Sequence, residues 1–263
     1  MVNKKHHPQR HHHSVKYAFA IAILCSFGLS FLVPSFGGNL FVTNALTFIG
    51  ILFAILVGFF ITDLYTRYVY IRQNAAADSS NLSTFFFLAS VLSLEIDDPA
   101  WIERVKIRIK KYVHVFMPLP WEDYGKTEKA FSDLGESLKE VQFTTPKAVE
   151  TYRTILNVYG QHSTSREALV MFGRDKLSAG EWLTLYVLGG LLLVSLFFTK
   201  DTSLVSILFT GGIMSAVLIL FILLRDLNNL DFGENAVSVE PYERVLEAIG
   251  EDRYYSDAGK SEE

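Results

Sequence analysis

Four stretches of the chain contain no aspartate, glutamate, lysine or arginine. They cover residues 17–33, 46–62, 182–198 and 204–224, and each is 17–21 residues long. A helix needs about 17–25 mainly apolar residues to cross a hydrocarbon core ~30 Å thick. The pattern therefore predicts four transmembrane helices, two near the N-terminus and two near the C-terminus.

The first stretch has the basic flank of a signal peptide. Its apolar core is longer than a signal peptide's usual hydrophobic region, and no small-x-small cleavage motif follows. We therefore expect a retained transmembrane helix, joined to the second by a turn at residues 33–38.

The polar segment between the two helix pairs carries helix start and stop signals. Asp98-Pro99 supplies an N-cap followed by proline at the first helical position, and Pro118 ends that helix. Residues 103–113 alternate enough to suggest a strand, but the flanking prolines favour an amphipathic helix.

Further signals extend this prediction to the rest of the segment. The second span is expected to continue as a helix through Leu94, and Thr145-Pro146 starts another helix. Thr164-x-x-Glu167 and Ser178-x-x-Glu181 fit capping boxes. The predicted fold is an all-α membrane protein whose four transmembrane helices flank a cytoplasmic helical domain.

Basic residues near the membrane ends predict the orientation. The first 16 residues carry four basic and no acidic residues, and the other basic flanks follow span two, precede span three and follow span four. Both termini are therefore expected in the cytoplasm of a cell-membrane protein. The predicted segments are a basic histidine-rich tail (1–16), transmembrane helices 1 and 2 (17–62), the cytoplasmic domain (63–181), transmembrane helices 3 and 4 (182–224) and an acidic tail (225–263).

Composition excludes several classes of protein. Half of the residues are apolar and 20% are charged, below the roughly 25% of soluble domains. A soluble enzyme, a disulfide scaffold and a disordered chain do not fit, and no basic patch predicts nucleic-acid binding. Metalloprotease, phosphate-loop and nucleophile-elbow motifs are absent from the sequence. We therefore predict no enzymatic activity and no cofactor.

The N-terminal tail is rich in histidine, which allows two interpretations. Imidazole is a common metal ligand, but no nearby carboxylate or cysteine completes a defined geometry. A flexible tail is favoured over a metal site. The histidines concerned are His6, His7, His11, His12 and His13.

The second span carries two stripes at helical spacing. Gly50, Ala54 and Gly58 form a small-residue stripe of the kind that lets helices pack closely in lipid. Bulky apolar residues follow each of these positions and form a second stripe about 100° further round. This second stripe comprises Ile51, Ile55 and Phe59. It could line an apolar pore constriction that gates by dewetting, although the pattern alone favours contact with lipid.

The same stretch continues through Tyr65, Arg67 and Arg72 and resembles the second transmembrane helix of bestrophins, a family of pentameric ion channels. Asp231-Phe232-Gly233-Glu234 is a weaker echo of a bestrophin turn after the fourth span. As a whole, the chain resembles the bestrophin-like family of prokaryotic membrane proteins. The shared motifs are Lys111-Tyr112-Val113 leading to Trp121, Arg174 before Gly180-Glu181-Trp182, and Asp226-Leu227.

The resemblance implies a homo-oligomeric channel, a pentamer in bestrophins, that conducts monovalent ions across the bilayer. Its neck would comprise Ile51, Ile55 and Phe59. Residues 235–238 lack the acidic run that forms the calcium clasp of animal bestrophins, so a calcium site is not expected. The uncharged neck leaves the sign of the ion open.

Two other functions stay open. A membrane-anchored sensor or scaffold could bind a partner through its cytoplasmic helices, with the acidic tail contributing. A transporter is less favoured because the spans lack buried charges. Beyond span two, we expect Arg72 to pair with Asp78 and Arg67 to contact a neighbouring subunit.

Overall fold

The structure is a computed structural model that describes residues 12–34, 36, 40–142, 145–230 and 237–255, with side chains from residue 17 and again from residue 42. The histidine-rich tail, the 231–234 motif, the 235–236 part of the segment compared with the calcium clasp and part of the 33–38 turn lie outside these residues or their described side chains.

Every regular element within the described ranges is a helix. Short 3₁₀ helices cover Trp121–Thr127 and Ser137–Glu140. The α-helices are α1 (His12–Leu32), α2 (Leu40–Glu95), α3 (Pro99–Phe116), α4 (Glu128–Glu136), α5 (Pro146–Arg174), α6 (Ala179–Thr199), α7 (Leu204–Asn229) and α8 (Glu240–Ala248).

The predicted helix starts are confirmed where a polar side chain precedes a helix. The Asp98 carboxylate accepts a hydrogen bond from the Trp101 amide at 3.0 Å. The Thr145 hydroxyl accepts one from the Ala148 amide at 3.1 Å. At the start of α6, Ser178 and Glu181 form the reciprocal bonds of a capping box.

The other predicted capping box, at Thr164, is wrong. Thr164 lies inside α5, and its hydroxyl donates to the Gly160 carbonyl at 3.2 Å. A threonine hydroxyl satisfied in this way does not interrupt a helix. One 29-residue helix therefore replaces the two expected.

Three of the described helices are long and apolar enough to cross a membrane, as judged by length and composition. They are the helix that contains span two, α6 and α7. The first predicted span corresponds to α1, whose part with described side chains, Tyr17–Leu32, is a shorter apolar helix. The fourth transmembrane helix therefore stays a prediction.

The first of two compact units, the membrane unit, comprises the described residues within 9–68 and 176–236. It contains α1, the first half of α2, α6 and α7. α1 packs against α7, and the Ser30 hydroxyl donates to the Ile207 carbonyl at 2.6 Å. The apolar core joins the first half of α2 to α6 and α7.

The second unit, the polar unit, contains residues 69–175 and 237–255 of the described chain. Its core is aromatic: Phe85, Trp101, Tyr112, Phe116 and Tyr124 are all fully buried. Trp101 donates its indole N–H to the Ser137 carbonyl at 2.9 Å. This unit therefore has a large core of its own, built from the second half of α2 and the helices that follow.

Candidate functional site

One face of α2 in the membrane unit is buried within the chain. Phe53, Val57, Phe60 and Leu64 recur at intervals of three or four residues and belong to the core shared with α6 and α7. Such spacing forms one apolar stripe on a helix. The packing fixes the rotation of α2 and thereby the direction of its other faces.

The predicted neck residues lie on a different face of α2. Ile51, Ile55 and Phe59 are 56%, 63% and 64% exposed in the single chain. Ile51 is two residues, about 200°, from Phe53 around the helix. The bulky apolar stripe thus points away from the intramolecular core, where lipid or another copy of the chain can cover it.

The predicted small-residue stripe makes few close contacts within the chain. A Cβ atom added to Gly50 would lie 3.7 Å from Leu192, an ordinary contact, and one added to Gly58 would meet nothing within 4 Å. Ala54 is exposed. The role of these residues in packing one subunit against another stays a prediction.

Among the described glycines of the membrane unit, close approach depends instead on two that sequence analysis missed. A Cβ atom at Gly189 would lie 2.8 Å from the Phe221 ring, and one at Gly211 would lie 2.7 Å from the Phe27 ring. Both contacts are too short for any side chain without a shift of the ring. These close contacts could have been predicted from the adjacent glycine pairs at 189–190 in span three and 211–212 in span four.

Arg67 is buried within its own chain, which leaves little of its surface for the expected contact with a neighbouring subunit. Its side chain is 4% exposed, and Nη1 donates to the Asn228 carbonyl at 2.9 Å. Asn228 lies in the last turn of α7, where carbonyls lack intrahelical donors. Its side-chain oxygen also accepts from the Leu177 amide at 2.8 Å. Arg67 therefore joins α2 to the end of α7.

The other two residues predicted at this end of the span are exposed. Tyr65 stacks on Tyr68 with ring centroids 6.1 Å apart. Arg72 is exposed, whereas its expected partner, Asp78, is fully buried with other partners. The expected Arg72–Asp78 pair is therefore wrong.

Asp78 is the centre of a buried polar cluster that sequence analysis did not find. Its Oδ2 accepts hydrogen bonds from Tyr124 at 2.7 Å, Tyr242 at 2.9 Å and Tyr112 at 3.4 Å. Its Oδ1 lies 2.8 Å from Nδ1 of His162. We call these five residues the Asp78 cluster. Its members come from α2, α3, the first 3₁₀ helix, α5 and α8.

The electrostatics of the cluster favour neutral tyrosines. Burial raises the pKa of Tyr112, Tyr124 and Tyr242 well above the ordinary 10.0, and the negative charge of Asp78 raises it further. The three hydroxyls therefore stay protonated and available as donors. Hydrogen bonds of this kind compensate the desolvation of a buried carboxylate.

Another buried charged residue lies in the membrane unit. Lys200, in the turn between α6 and α7, is buried, and its ammonium group donates to the carbonyls of Ser30 and Val33 near the end of α1. Sequence analysis did not identify this lysine. The lysine caps carbonyls that the end of α1 leaves without donors.

The described residues contain no group of three or more histidine, cysteine, aspartate or glutamate side chains arranged to hold a metal ion.

Comparison with known proteins identifies a family and a fold. A family model described as the Bestrophin-like domain matches residues 19–242. A crystal structure of a membrane protein shares 14% sequence identity at a TM-score of 0.63, and the similarity covers 89% of this chain and 99% of that chain. No curated protein matches the chain. Since the family match spans most of its length, the chain belongs to the Bestrophin-like family.

Proposed function

We propose that this chain forms a homo-oligomeric ion channel whose apolar neck is lined by α2. The observation that carries the proposal is the division of α2 into opposite faces. Phe53 and Val57 hold the helix against the chain's own core, while Ile51, Ile55 and Phe59 project away from it. Membership of the Bestrophin-like family, which resembles the bestrophin ion channels, supports the same function.

The proposed neck works through shape and hydration. In a ring of α2 helices, each of the three residues would form one apolar collar around the symmetry axis. A sufficiently narrow apolar collar loses its water and blocks ions without any charged gate. Gly50, Ala54 and Gly58 would let neighbouring helices approach closely beside these collars.

The remaining features of the proposal concern assembly and orientation. A pentamer is proposed by analogy with bestrophins, with monovalent ions as the permeant species. The basic flanks support a cytoplasmic location for both termini and residues 63–181. α1 would then cross the bilayer as the fourth transmembrane helix.

Ion flux from proteoliposomes tests the neck. Replacing Ile51, Ile55 and Phe59 together by Ala should widen and wet the collars and raise flux at equal oligomer content. A matched control replaces three exposed apolar residues of α6 by Ala and should leave flux unchanged. These residues are Leu183, Val187 and Val194. If neither the unmodified protein nor the neck variant passes ions at any gradient or polarity, the channel is rejected and the scaffold function is favoured.

Assembly and orientation are tested separately on the same protein. Ala54→Leu should lower the mass of the detergent-purified complex, because the longer side chain separates neighbouring helices. In a Cys25→Ala background, Ser35→Cys and Thr202→Cys should react with an impermeant thiol reagent added to intact cells, and Ser132→Cys should not. A purely monomeric unmodified protein would contradict the pore, and the reverse labelling pattern would contradict the orientation.

A further inference from the structure

The polar unit contains a cavity of about 480 Å³ that the proposed channel function does not use. It lies between the last three turns of α5 and the segment from Gly125 to Phe131. Cavities of roughly 300–1,000 Å³ are the usual size of small-molecule sites. The cavity therefore has room for an organic ligand, and its lining indicates which kind.

Arg166 is the most distinctive group in the lining. Its side chain is 6% exposed, and its guanidinium carbon lies 5.0 Å from the centre of the Phe131 ring. Nε and Nη2 are buried and make no hydrogen bond of acceptable geometry. These two nitrogens form the edge of the guanidinium that binds a carboxylate through two parallel hydrogen bonds.

A surface carboxylate partly occupies that edge. Oε2 of Glu128 lies 2.7 Å from Nη2 of Arg166, although the Glu128 side chain is 71% exposed. An exposed, flexible side chain in a poorly aligned ion pair contributes little to stability. A ligand carboxylate with better geometry can therefore displace Glu128 into solvent.

The rest of the lining favours an organic carboxylate over an inorganic anion. Arg174 and Ser163 add a second positive charge and a hydroxyl, while Glu128 and Glu167 balance the two arginines. A multiply charged phosphate would meet repulsion from the two glutamates. The apolar side chains of Phe131, Val170 and Met171 offer contact to an apolar ligand body.

We propose that this cavity binds a small organic acid, with one carboxylate on the Nε and Nη2 edge of Arg166 and an apolar body against Phe131. Gly125 leaves room for the second arginine because it has no side chain. A Cβ atom there would lie 2.9 Å from Nη2 of Arg174, so the missing side chain lets that guanidinium sit at the cavity wall.

Calorimetric titration of the full-length, detergent-purified protein with benzoate tests the proposal, with acetate and inorganic phosphate as comparison ligands. Benzoate should bind saturably and more tightly than either. Arg166→Lys keeps the charge but removes the planar fork, so benzoate affinity should fall at least ~10-fold, the size of a lost charge-assisted hydrogen bond. Arg153→Lys, at an exposed position of the same helix, should leave it unchanged.

Glu128→Gln provides the sharper test. If the Arg166–Glu128 ion pair is needed to hold the site together, this variant should weaken benzoate binding, whereas a pair that the ligand displaces predicts tighter binding. Removing the competing carboxylate should tighten benzoate binding several-fold. Unchanged or weaker binding in this variant overturns the proposal, as does an absence of saturable benzoate binding to the unmodified protein.

A third variant covers the case in which Arg166→Lys does not fold. Ser163→Ala should then weaken benzoate binding while Glu128→Gln tightens it. The site is rejected if Ser163→Ala does not weaken benzoate binding or if Glu128→Gln does not tighten it. These binding results are independent of ion flux, so this proposal and the channel can fail separately.

Discussion

Two regions of α2 contrast in how their side chains are satisfied. Around Ile55 the helix presents large apolar residues that its own chain leaves exposed. At Asp78 the same helix carries an acidic residue with no exposed surface. Tyrosine hydroxyls from three other elements donate to it, and His162 from a fourth lies beside it. The first region needs something outside the chain to cover it, whereas the groups that surround Asp78 all come from its own chain.

The contrast shows why burial carries different information in the two places. Removing a carboxylate from water costs several kcal/mol unless hydrogen bonds replace the water. The groups that donate to Asp78 can therefore be assigned a stabilising role. Lipid tails are about as apolar as Ile or Phe, so no hydrophobic force tells a lipid-facing residue from a pore-facing one. The exposure of Ile55 in one chain therefore does not tell whether lipid or another copy of the chain covers it. The partners of Asp78, in contrast, are visible in the single chain.

The largest expected effect comes from breaking the region around Asp78. Asp78→Ala leaves three tyrosine hydroxyls and His162 without their common partner, and should lower the free energy of unfolding by about 3–5 kcal/mol. Thermal unfolding of the detergent-purified protein measures this loss. Asp133→Ala, which removes an exposed ion pair with Lys111, is the control and should change little. Equal melting temperatures for the two variants would contradict the structural role of the cluster.

Much of the fold could be predicted because its signals are local. An N-cap such as Asp98 or a proline at the first turn acts over a few positions, and an uncharged run of 17 residues is one contiguous stretch. Helices are observed at these places, although only three of them are long and apolar enough to cross a membrane. The false capping box at Thr164 shows the limit of such signals. The hydroxyl found a carbonyl one turn earlier, and nothing in four residues of sequence distinguishes the two outcomes.

The Asp78 cluster could not be predicted for the opposite reason. Tyr242 lies 164 positions from Asp78 along the chain, and its hydroxyl reaches the carboxylate only after five elements have packed. Arg67 likewise meets Asn228 across 161 positions. A single sequence shows which side chains could donate but not which distant acceptor receives them.

The next effect uses pH to test the same cluster. Because the pKa of Tyr112, Tyr124 and Tyr242 is raised in the folded chain, the unfolded chain loses these protons first as the pH rises above about 10. Stability should therefore be intact below that pH. Above it, stability should fall by about 1.4 kcal/mol per pH unit for each tyrosine that stays protonated only when folded.

Unfolding free energy measured against pH gives the number of protons involved. Tyr242→Phe should make the fall above pH ~10 shallower by about one proton, even though the variant is less stable at neutral pH. An identical alkaline slope in the two proteins would show that Tyr242 ionises equally easily when folded and unfolded.

A smaller effect separates packing inside the chain from packing between chains. Gly189→Ala places a Cβ atom 2.8 Å from the Phe221 ring, and overpacking of this kind typically costs about 1–3 kcal/mol. Gly190→Ala is the matched neighbour, since its Cβ atom would meet nothing within 4 Å. Thermal unfolding should distinguish the two variants. If Gly190→Ala is the more damaging, the surface beside it is covered in the assembled protein.

The smallest effect compares the two arginines beyond span two. Arg67→Lys keeps the charge but cannot reproduce the planar fork that reaches the Asn228 carbonyl, so it should cost about 1–2 kcal/mol. Arg72 is exposed, and Arg72→Lys should be indistinguishable from the unmodified protein in thermal unfolding. Positive charge alone would serve equally well at both positions if these residues only set topology. Equal melting temperatures for the two lysine variants would therefore assign both arginines to membrane anchoring, whereas a loss confined to Arg67 would show that the bond to the end of α7 holds α2 in place.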